Sequence, residues 1–287
     1  MPELTDLSYV RALCEKYDFA LSKGFGQNFI VNPGLPPKIV DASGVDKRYG
    51  VLEIGPGIGA LSHELCERAG KVVAVELDKT LLPILDETMA HFDNFEVVSA
   101  DILKTDIPAL VREKFAGLTP IVCANLPYNI TTPAITALIE SKCFESITVL
   151  VQKEVAERLC AAPGTSAYGA FSVFMQYYTE PEYLFAVPRE CFEPQPKVTS
   201  AVLRAVVRRE PPVEVEDEKF FFRVVYAAFA LRRKTLVNSL MTAFGSQLTK
   251  EQVTQAVTSC GLEANIRGER LGLSEFAALS AEIAALL

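Results

Sequence analysis

Histidine is almost absent from this 287-residue chain. The two present, His63 and His91, lie in segments with helical spacing and have no Ser or Cys partner nearby in sequence. That scarcity argues against nucleophilic or general-base catalysis centred on imidazole. The cysteines, at 14, 66, 123, 143, 160, 191 and 260, form neither a Cys-x-x-Cys pair nor a short Cys/His cluster. Zinc spacings and a disulfide framework are therefore excluded, no metal is expected, and the thiols read as reduced, mainly buried apolar residues. Long hydrophobic runs are missing too. A spanning helix needs roughly 20 apolar residues, and the nearest approach, FFFRVVYAAFAL, is short and interrupted by Arg223. The N-terminus carries no basic segment followed by an apolar core and a small-residue cleavage site, so a cytoplasmic protein with no membrane partner is expected.

Positive net charge is also lacking. The formal charge is −8, which by itself argues against a nucleic-acid partner. Its distribution alters that inference. Residues 1–190 carry 16 Lys and Arg against 25 Asp and Glu, whereas residues 191–287 carry 12 against 11. Between Lys197 and Lys234 nine basic residues outnumber five acidic ones, with tight clusters at Arg208-Arg209 and Arg232-Arg233-Lys234. Because charge is screened beyond about 10 Å, a local basic face can bind phosphate on an acidic molecule. A solvated helix face is the alternative.

From Tyr49 onward, short β-branched runs alternate with longer helical ones, as in βα units around a parallel sheet. GVLEIGPG, KVVAVELD, FEVVSADIL, TPIVCANLPY and ESITVLVQ read as successive strands separated by helices, with a single helix expected over KTLLPILDETMAHF. PEYLFAVP and VTSAVLRAVVRR read as strands that finish the sheet as an antiparallel edge. REPPVEVEDE reads as a linker, and KFFFRVVYAAFALRRKTLVNSLMTAF, TKEQVTQAVTSCG and SEFAALSAEIAALL follow with helical spacing. The expected organisation is an α/β domain over 1–209, which includes an N-terminal helix and loop, a linker over 210–218 and a small all-helical domain over 219–287. No heptad or apolar stripe suggests association, so a monomer is expected.

In an open parallel sheet, ligands sit beyond the carboxyl ends of the strands. The first strand ends in Glu53-Ile-Gly55-Pro-Gly57-Ile-Gly59, where glycine lets the backbone turn and approach a ligand before a helix. Its spacing is G-x-G-x-G, not the dinucleotide pattern G-x-G-x-x-G, which weighs against a dinucleotide oxidoreductase. A glycine loop alone is a weak signal. The second strand ends in Glu76, a carboxylate able to accept from two ribose hydroxyls, and the third in Asp101, able to accept from an exocyclic amine. The fourth ends in Asn125-Leu126-Pro127-Tyr128. An adenine amine is a poor nucleophile because its lone pair is delocalised into the ring. Acceptors that bind the amine hydrogens favour a pyramidal nitrogen, a form of transition-state complementarity. The Asn125 side-chain oxygen and the Leu126 carbonyl, turned outward by Pro127, suit that task, and Tyr128 offers a face for a flipped base. A sulfonium methyl can be attacked directly, with the proton lost afterwards, so no catalytic histidine is needed.

FGQNF (25–29), EIGPGIGALS (53–62), NLPYNITTP (125–133), VQKEVAERL (151–159), FEPQPKVTSAV (192–202) and RRKTLVNSL (232–240) occur in that order. With them the chain resembles, over nearly its whole length, the bacterial small-subunit ribosomal RNA adenine-N6,N6-dimethyltransferase family. The resemblance implies a Rossmann-like methyltransferase sheet with an RNA-binding or ribosome-binding helical domain. It implies S-adenosylmethionine as cofactor, leaving as S-adenosylhomocysteine, held by Gln27, Asn28, Gly55, Gly57, Glu76, Asp101 and Asn125. Catalysis would fall to Asn125, Leu126, Pro127 and Tyr128, base stacking to Tyr128 and Phe192, and RNA phosphate contact to Lys197, Arg232, Arg233 and Lys234. The implied substrate is a pair of adjacent adenines in the 3′-terminal hairpin loop of 16S rRNA within an immature small subunit. Gly24, Ala170 and Leu231 depart from the family's usual basic or polar residues and bear on RNA contact. Two other readings are an adenine-N6 methyltransferase of 23S rRNA, which shares the catalytic domain, and an assembly factor whose catalysis is secondary.

Overall fold

The computed structural model describes residues 4–19 and 28–287. The chain forms two compact units, Met1–Ala156 with Glu182–Val207, and Glu157–Pro181 with Arg208–Leu287.

The first unit begins with α1 (Leu7–Lys16), β1 (Phe29–Ile30) and α2 (Leu35–Ser43). Asp6 starts α1 by accepting the Ser8 and Tyr9 amides at 2.8 and 3.0 Å, an N-cap that satisfies two orphan donors. Alternation then sets in: β2 (Tyr49–Ile54), α3 (Ala60–Arg68), β3 (Lys71–Glu76), α4 (Leu82–Thr88), β4 (Phe95–Ser99), α5 (Ile107–Lys114), β5 (Thr119–Asn125), α6 (Thr131–Glu140) and β6 (Ser146–Gln152). The expected helix over 79–92 is shorter than its apolar spacing suggests. Asp78 caps a 3₁₀ turn at Lys79–Leu81, and α4 ends at Thr88. Beyond α7 (Lys153–Leu159) and α8 (Ala170–Tyr178), the chain adds β7 (Thr179–Val187), β8 (Phe192–Glu193) and β9 (Ser200–Val207).

Seven strands form one sheet in the order β4-β3-β2-β5-β6-β9-β7. Pairing is parallel from β4 through β6, with Leu52 opposite both Val73 and Val122, and β9 runs antiparallel to β6. Val51, Leu52, Val72, Val73, Val122 and Val149 are all buried, which is why these strands read as nearly continuous apolar runs. The chain steps from β2 outward to β3 and β4, then returns to β5 on the other side. That reversal opens a crevice at the carboxyl ends of β2 and β5. A separate two-stranded ribbon pairs β1 with β8, Ile30 opposite Phe192.

The second unit contains α8, α9 (Glu218–Phe229), α10 (Leu236–Phe244), α11 (Lys250–Ser259) and α12 (Leu273–Ala284). Residues 157–181 cluster here, and aromatic pairing is the reason. Phe174 and Tyr178 meet Phe222 with ring centroids 5.7 Å apart, and Tyr177 meets Phe221 at 5.2 Å. Such pairs add about 0.5–1.5 kcal/mol beyond their buried area. Tyr168 is fully buried and donates its hydroxyl to the Leu271 carbonyl at 2.9 Å. The helical spacing over 219–244 resolves into α9 and α10, because Thr235 accepts the Asn238 amide and starts a new helix. Arg232, Arg233 and Lys234 therefore occupy an exposed turn.

Cys14, Cys66, Cys123 and Cys191 are buried, and burial pushes the Cys66 and Cys123 thiols up, keeping them protonated and inert. Among the described residues no helix is long and apolar enough to cross a membrane, and no cluster of His, Cys, Asp or Glu could hold a metal ion.

Asp217 caps α9 by accepting the Lys219 and Phe220 amides at 2.8 and 3.0 Å. Asp217→Ala is expected to cost about 1 kcal/mol in urea unfolding, and Asp217→Asn much less, because asparagine keeps the acceptor.

Candidate active site

The crevice is an open cleft of about 120 Å³, formed by the loops after β2, β3, β4 and β5 together with Asn28–Ile30. After β2 the backbone passes through Gly55 and Gly57 with φ of 68° and 61°, a region closed to most side chains. At Gly57 space forbids a side chain as well, whereas at Gly55 the backbone conformation alone does. A Cβ on Gly57 would stand 2.9 Å from the Phe29 ring, and one on Gly55 3.4 Å from Pro127. Bare backbone thus forms the floor between two hydrophobic walls.

Three carboxylates line the cleft: Glu53, Glu76 and Asp101. Glu76, at the end of β3, is buried, and its Oε1 accepts the Asp78 amide at 2.8 Å. Burial raises its affinity for a proton, and backbone donors from Asp78, Leu77 and Gly57 oppose that. Asp101 follows β4 and accepts the Leu103 amide at 3.0 Å, with Lys104 Nζ 3.5 Å away. Both acids stand at the strand ends where sequence places them. Glu53 does not reach the mouth. It is 1% exposed and accepts the Ser62 hydroxyl at 2.6 Å. Burial pushes its carboxyl up to about 8, Ser62 opposing and the neighbouring Glu76 charge adding to the rise. No role for Glu53 emerges from the motif alone. The available signal is a carboxylate inside the apolar run VLEI.

Asn125, at the end of β5, donates its side-chain NH₂ to the Asn28 carbonyl at 3.1 Å. With the nitrogen so engaged, Oδ1 is the end of the amide left for another donor, on a residue that lines the cleft. The next residues are fixed closely. The Leu126 amide donates to Leu150 O at 3.1 Å, the Ile130 amide to Pro127 O at 3.2 Å, and the Thr131 hydroxyl to the Pro127 and Tyr128 carbonyls, both at 3.3 Å. Tyr128 shares a 2.5 Å hydrogen bond with the Ser200 hydroxyl, which sets its ring. Burial pushes the Tyr128 phenol up, Ser200 opposing, so it stays neutral.

The family profile described as ribosomal RNA adenine dimethylase matches residues 19–282. The chain belongs to this family. Among similar proteins is the ribosomal RNA small subunit methyltransferase A of Streptococcus gordonii, 49% identical over 280 residues, 96% of this chain and 97% of that one. Its counterpart in Geobacillus sp. (strain WCH70) is 48% identical over 273 residues, 94% of each chain. A solved dimethyladenosine transferase from Plasmodium falciparum shares the fold with a TM-score of 0.74 at 24% identity, over 90% of this chain and 98% of that one. The 23S rRNA methyltransferase ErmE also shares the fold, with a TM-score of 0.69 at 24% identity, over 90% of this chain and 100% of its own. The dimethylase is accordingly a methyltransferase of ribosomal RNA adenine on a Rossmann-like sheet.

Of the residues singled out from the dimethylase sequence, the cleft gathers Asn28, Gly55, Gly57, Glu76, Asp101, Asn125, Leu126 and Pro127. Gln27 and Gly24 lie outside the described residues. Tyr128 adjoins the lining, between Pro127 and Asn129. Phe192 stands apart. It is 1% exposed in the core with Ile30 and Leu35, and stacking on a base would require its ring to leave that seat. Lys197, Arg232, Arg233 and Lys234 are exposed. Arg232 donates to the Ser166 carbonyl and stands 4.0 Å from Glu269.

Glu53 yields a pH test. Its folded affinity for a proton exceeds the unfolded one, so the stability it contributes is full below about pH 4.5 and is lost as pH rises through about 8. Glu53→Gln should melt near the wild-type temperature at pH 5 and above it at pH 9 by differential scanning calorimetry. An unchanged gap between the two proteins across that range would place the ionised form in the fold.

Proposed function

We propose that this enzyme transfers methyl groups from S-adenosylmethionine to N6 of two adjacent adenines in the 3′-terminal hairpin loop of 16S rRNA. It gives N6,N6-dimethyladenosines within an immature small ribosomal subunit, and it works as a cytoplasmic monomer. The observation that carries the chemistry is the oriented Asn125 amide on the cleft wall.

The lining suits S-adenosylmethionine. Ile58, Leu77 and Ile102 are apolar walls for a purine, Glu76 and Asp101 supply acceptors for ribose hydroxyls and an exocyclic amine, and the glycine floor admits close backbone approach. Gln27 and Asn28 complete the cofactor set. When bound, the cofactor supplies an electrophilic methyl carried on sulfonium. Asn125 Oδ1 and the Leu126 carbonyl, presented by Pro127, accept the two hydrogens of the target amine and favour its pyramidal form. Their hold strengthens as nitrogen gains positive charge, so they bind the transition state better than the substrate. Tyr128 stacks on the flipped base, an interaction worth about 1–3 kcal/mol, and Ser200 keeps its ring from turning. Phe192 supports the ribbon carrying Asn28 and, on displacement, offers a second stacking face.

In this proposal residues 1–209 are catalytic, 210–218 link, and 219–287 bind RNA or ribosome. Lys197, Arg232, Arg233 and Lys234 contact phosphate, a role supported by their exposure and by the locally basic stretch they bracket. Close identity to two small-subunit methyltransferases favours the 16S target over 23S.

Labelled methyl transfer to small subunits lacking the modification, mapped by mass spectrometry, tests the proposal. Dimethyladenosine at the adjacent hairpin adenines is expected. Transfer to large subunits in its place would overturn the target. Asn125→Ala should abolish transfer while leaving most subunit binding intact, because it removes an amine acceptor and spares the basic residues. Replacing Arg233 and Lys234 with Ala should lower the slope of log affinity against log salt by about 1 per lost phosphate contact. An unchanged slope would remove those residues from the interface.

A further inference from the structure

Tyr226 is the exception among the aromatic rings of the described residues. It is 55% exposed, and no other Phe or Tyr is among the large apolar side chains that face solvent. Along α9 burial divides cleanly. Phe221, Phe222, Val224, Val225, Ala227 and Ala228 are buried, while Lys219, Arg223, Tyr226 and Ala230 are exposed. Their spacing of three or four residues sets these four on one face of the helix, which Ala230 continues with helical backbone.

The Tyr226 ring is braced from below. Its neighbour Phe222 is 9% exposed with its ring centroid 6.3 Å away, and Phe222 stacks in turn on Tyr178 at 5.7 Å and 15°. Phe174 meets the same Phe222 ring at 5.7 Å. A surface ring set by a buried aromatic array has little freedom left to lose when something lies on it. Isolated exposed apolar residues are ordinary. Here the apolar surface runs on through Ala230 to Leu231, which is 40% exposed.

Cations flank this patch. Arg223, one turn before Tyr226, is fixed by its hydrogen bond to the Ala243 carbonyl at 3.2 Å and by the Phe244 ring 4.6 Å from its guanidinium. Arg233 and Lys234 follow Leu231 in the exposed turn. The acids of this region are engaged elsewhere: Glu269 stands 4.0 Å from both Arg232 and Arg267, and Glu218, in the first turn of α9, accepts the Tyr178 hydroxyl. A stable protein partner needs about 800 Å² on each side, centred on a surface depleted in charge, whereas this patch is small and bordered by cations. An aromatic face between cations suits single-stranded nucleic acid, whose bases stack while its phosphates pair with Lys and Arg. We infer that Tyr226 is a stacking platform for an unpaired base of the ribosomal RNA, other than the methylated adenines, with the adjoining phosphates drawn to Arg233 and Lys234. The inference rests on the RNA-binding role proposed for residues 219–287 and adds to it a contact made by a ring. It also gives Leu231, a departure from the family's usual polar residue, a place at the edge of the platform.

Filter binding of the full chain to small subunits lacking the modification, over a range of salt, tests it. Tyr226→Ala should bind about tenfold more weakly than wild type, with an unchanged slope of log affinity against log salt, because losing a stacked ring releases no counterions. Tyr226→Phe should keep wild-type affinity. Tyr226→Leu, which retains apolar bulk without a ring, should be as weak as the alanine variant, and takes its place should alanine fail to fold. Short-wave ultraviolet irradiation of the wild-type complex should join the peptide containing Tyr226 to a ribosomal RNA nucleotide, identified by mass spectrometry. Wild-type affinity in the Ala and Leu variants, beside a lowered slope for the Arg233 and Lys234 replacements, would overturn the platform and leave the RNA-binding role standing. Wild-type affinity and slope in every variant would overturn both. Full affinity in Tyr226→Leu alone would overturn stacking, and a crosslink to a ribosomal protein in place of RNA would overturn the nucleotide as occupant.

Discussion

One hydrogen bond, from the Asn125 side-chain amide to the Asn28 carbonyl, decides which end of that amide is left for a donor in the cleft. An asparagine free to turn offers two donors as readily as two acceptors. Only the acceptor end can bind an amine hydrogen and so favour a pyramidal nitrogen whose lone pair has left conjugation with a purine. The partner is a main-chain carbonyl 97 residues away, so the orientation depends on where a second piece of backbone is held. That piece is held by the β1–β8 pairing and by the Phe29 ring, which occupies the space a side chain at Gly57 would need. The direction of the amide, strand pairing and the absence of a side chain are in this sense one constraint.

The sheet was legible in sequence because its strands are buried on both faces, and burial on both faces writes an unbroken apolar run. The strand ends were legible because a parallel sheet gathers its functional groups there, so Gly55, Glu76, Asp101 and Asn125 could be named from position alone. Partner choice was not. Helical spacing in 170–178 says that Phe174, Tyr177 and Tyr178 share a buried surface, but not that Phe221 and Phe222 cover it. Similarly, the spacing over 219–244 carries through a turn because apolar periodicity does not register a threonine cap. Phe192 illustrates the reverse case. A family motif marks it for the base, whereas the register of a two-residue ribbon seats it in the core.

Glu53 was unreadable for another reason. A carboxylate in an apolar strand can be paired, hydrogen-bonded or neutral, and sequence does not distinguish these. Here no basic side chain compensates it. Its hydrogen bond comes from the Ser62 hydroxyl, and a second carboxylate, Glu76, lies close enough to oppose its ionisation. The floor beneath Glu76 is consequently kept low in charge, and the carboxylates left at the strand ends are Glu76 and Asp101.

The ribbon that holds Asn28 is small. Each strand contributes two residues, extended by the Val31 amide to the Cys191 carbonyl at 2.8 Å, against a sheet of seven strands beside it. Opening such a ribbon takes far less free energy than opening the sheet. The Asn125 amide thus owes its direction to a short piece of pairing whose own side chains, Ile30 and Phe192, are seated in the core. Anything seated in the cleft against Asn28–Ile30 adds contacts to the ribbon that fixes the amide, and so steadies the very group it meets.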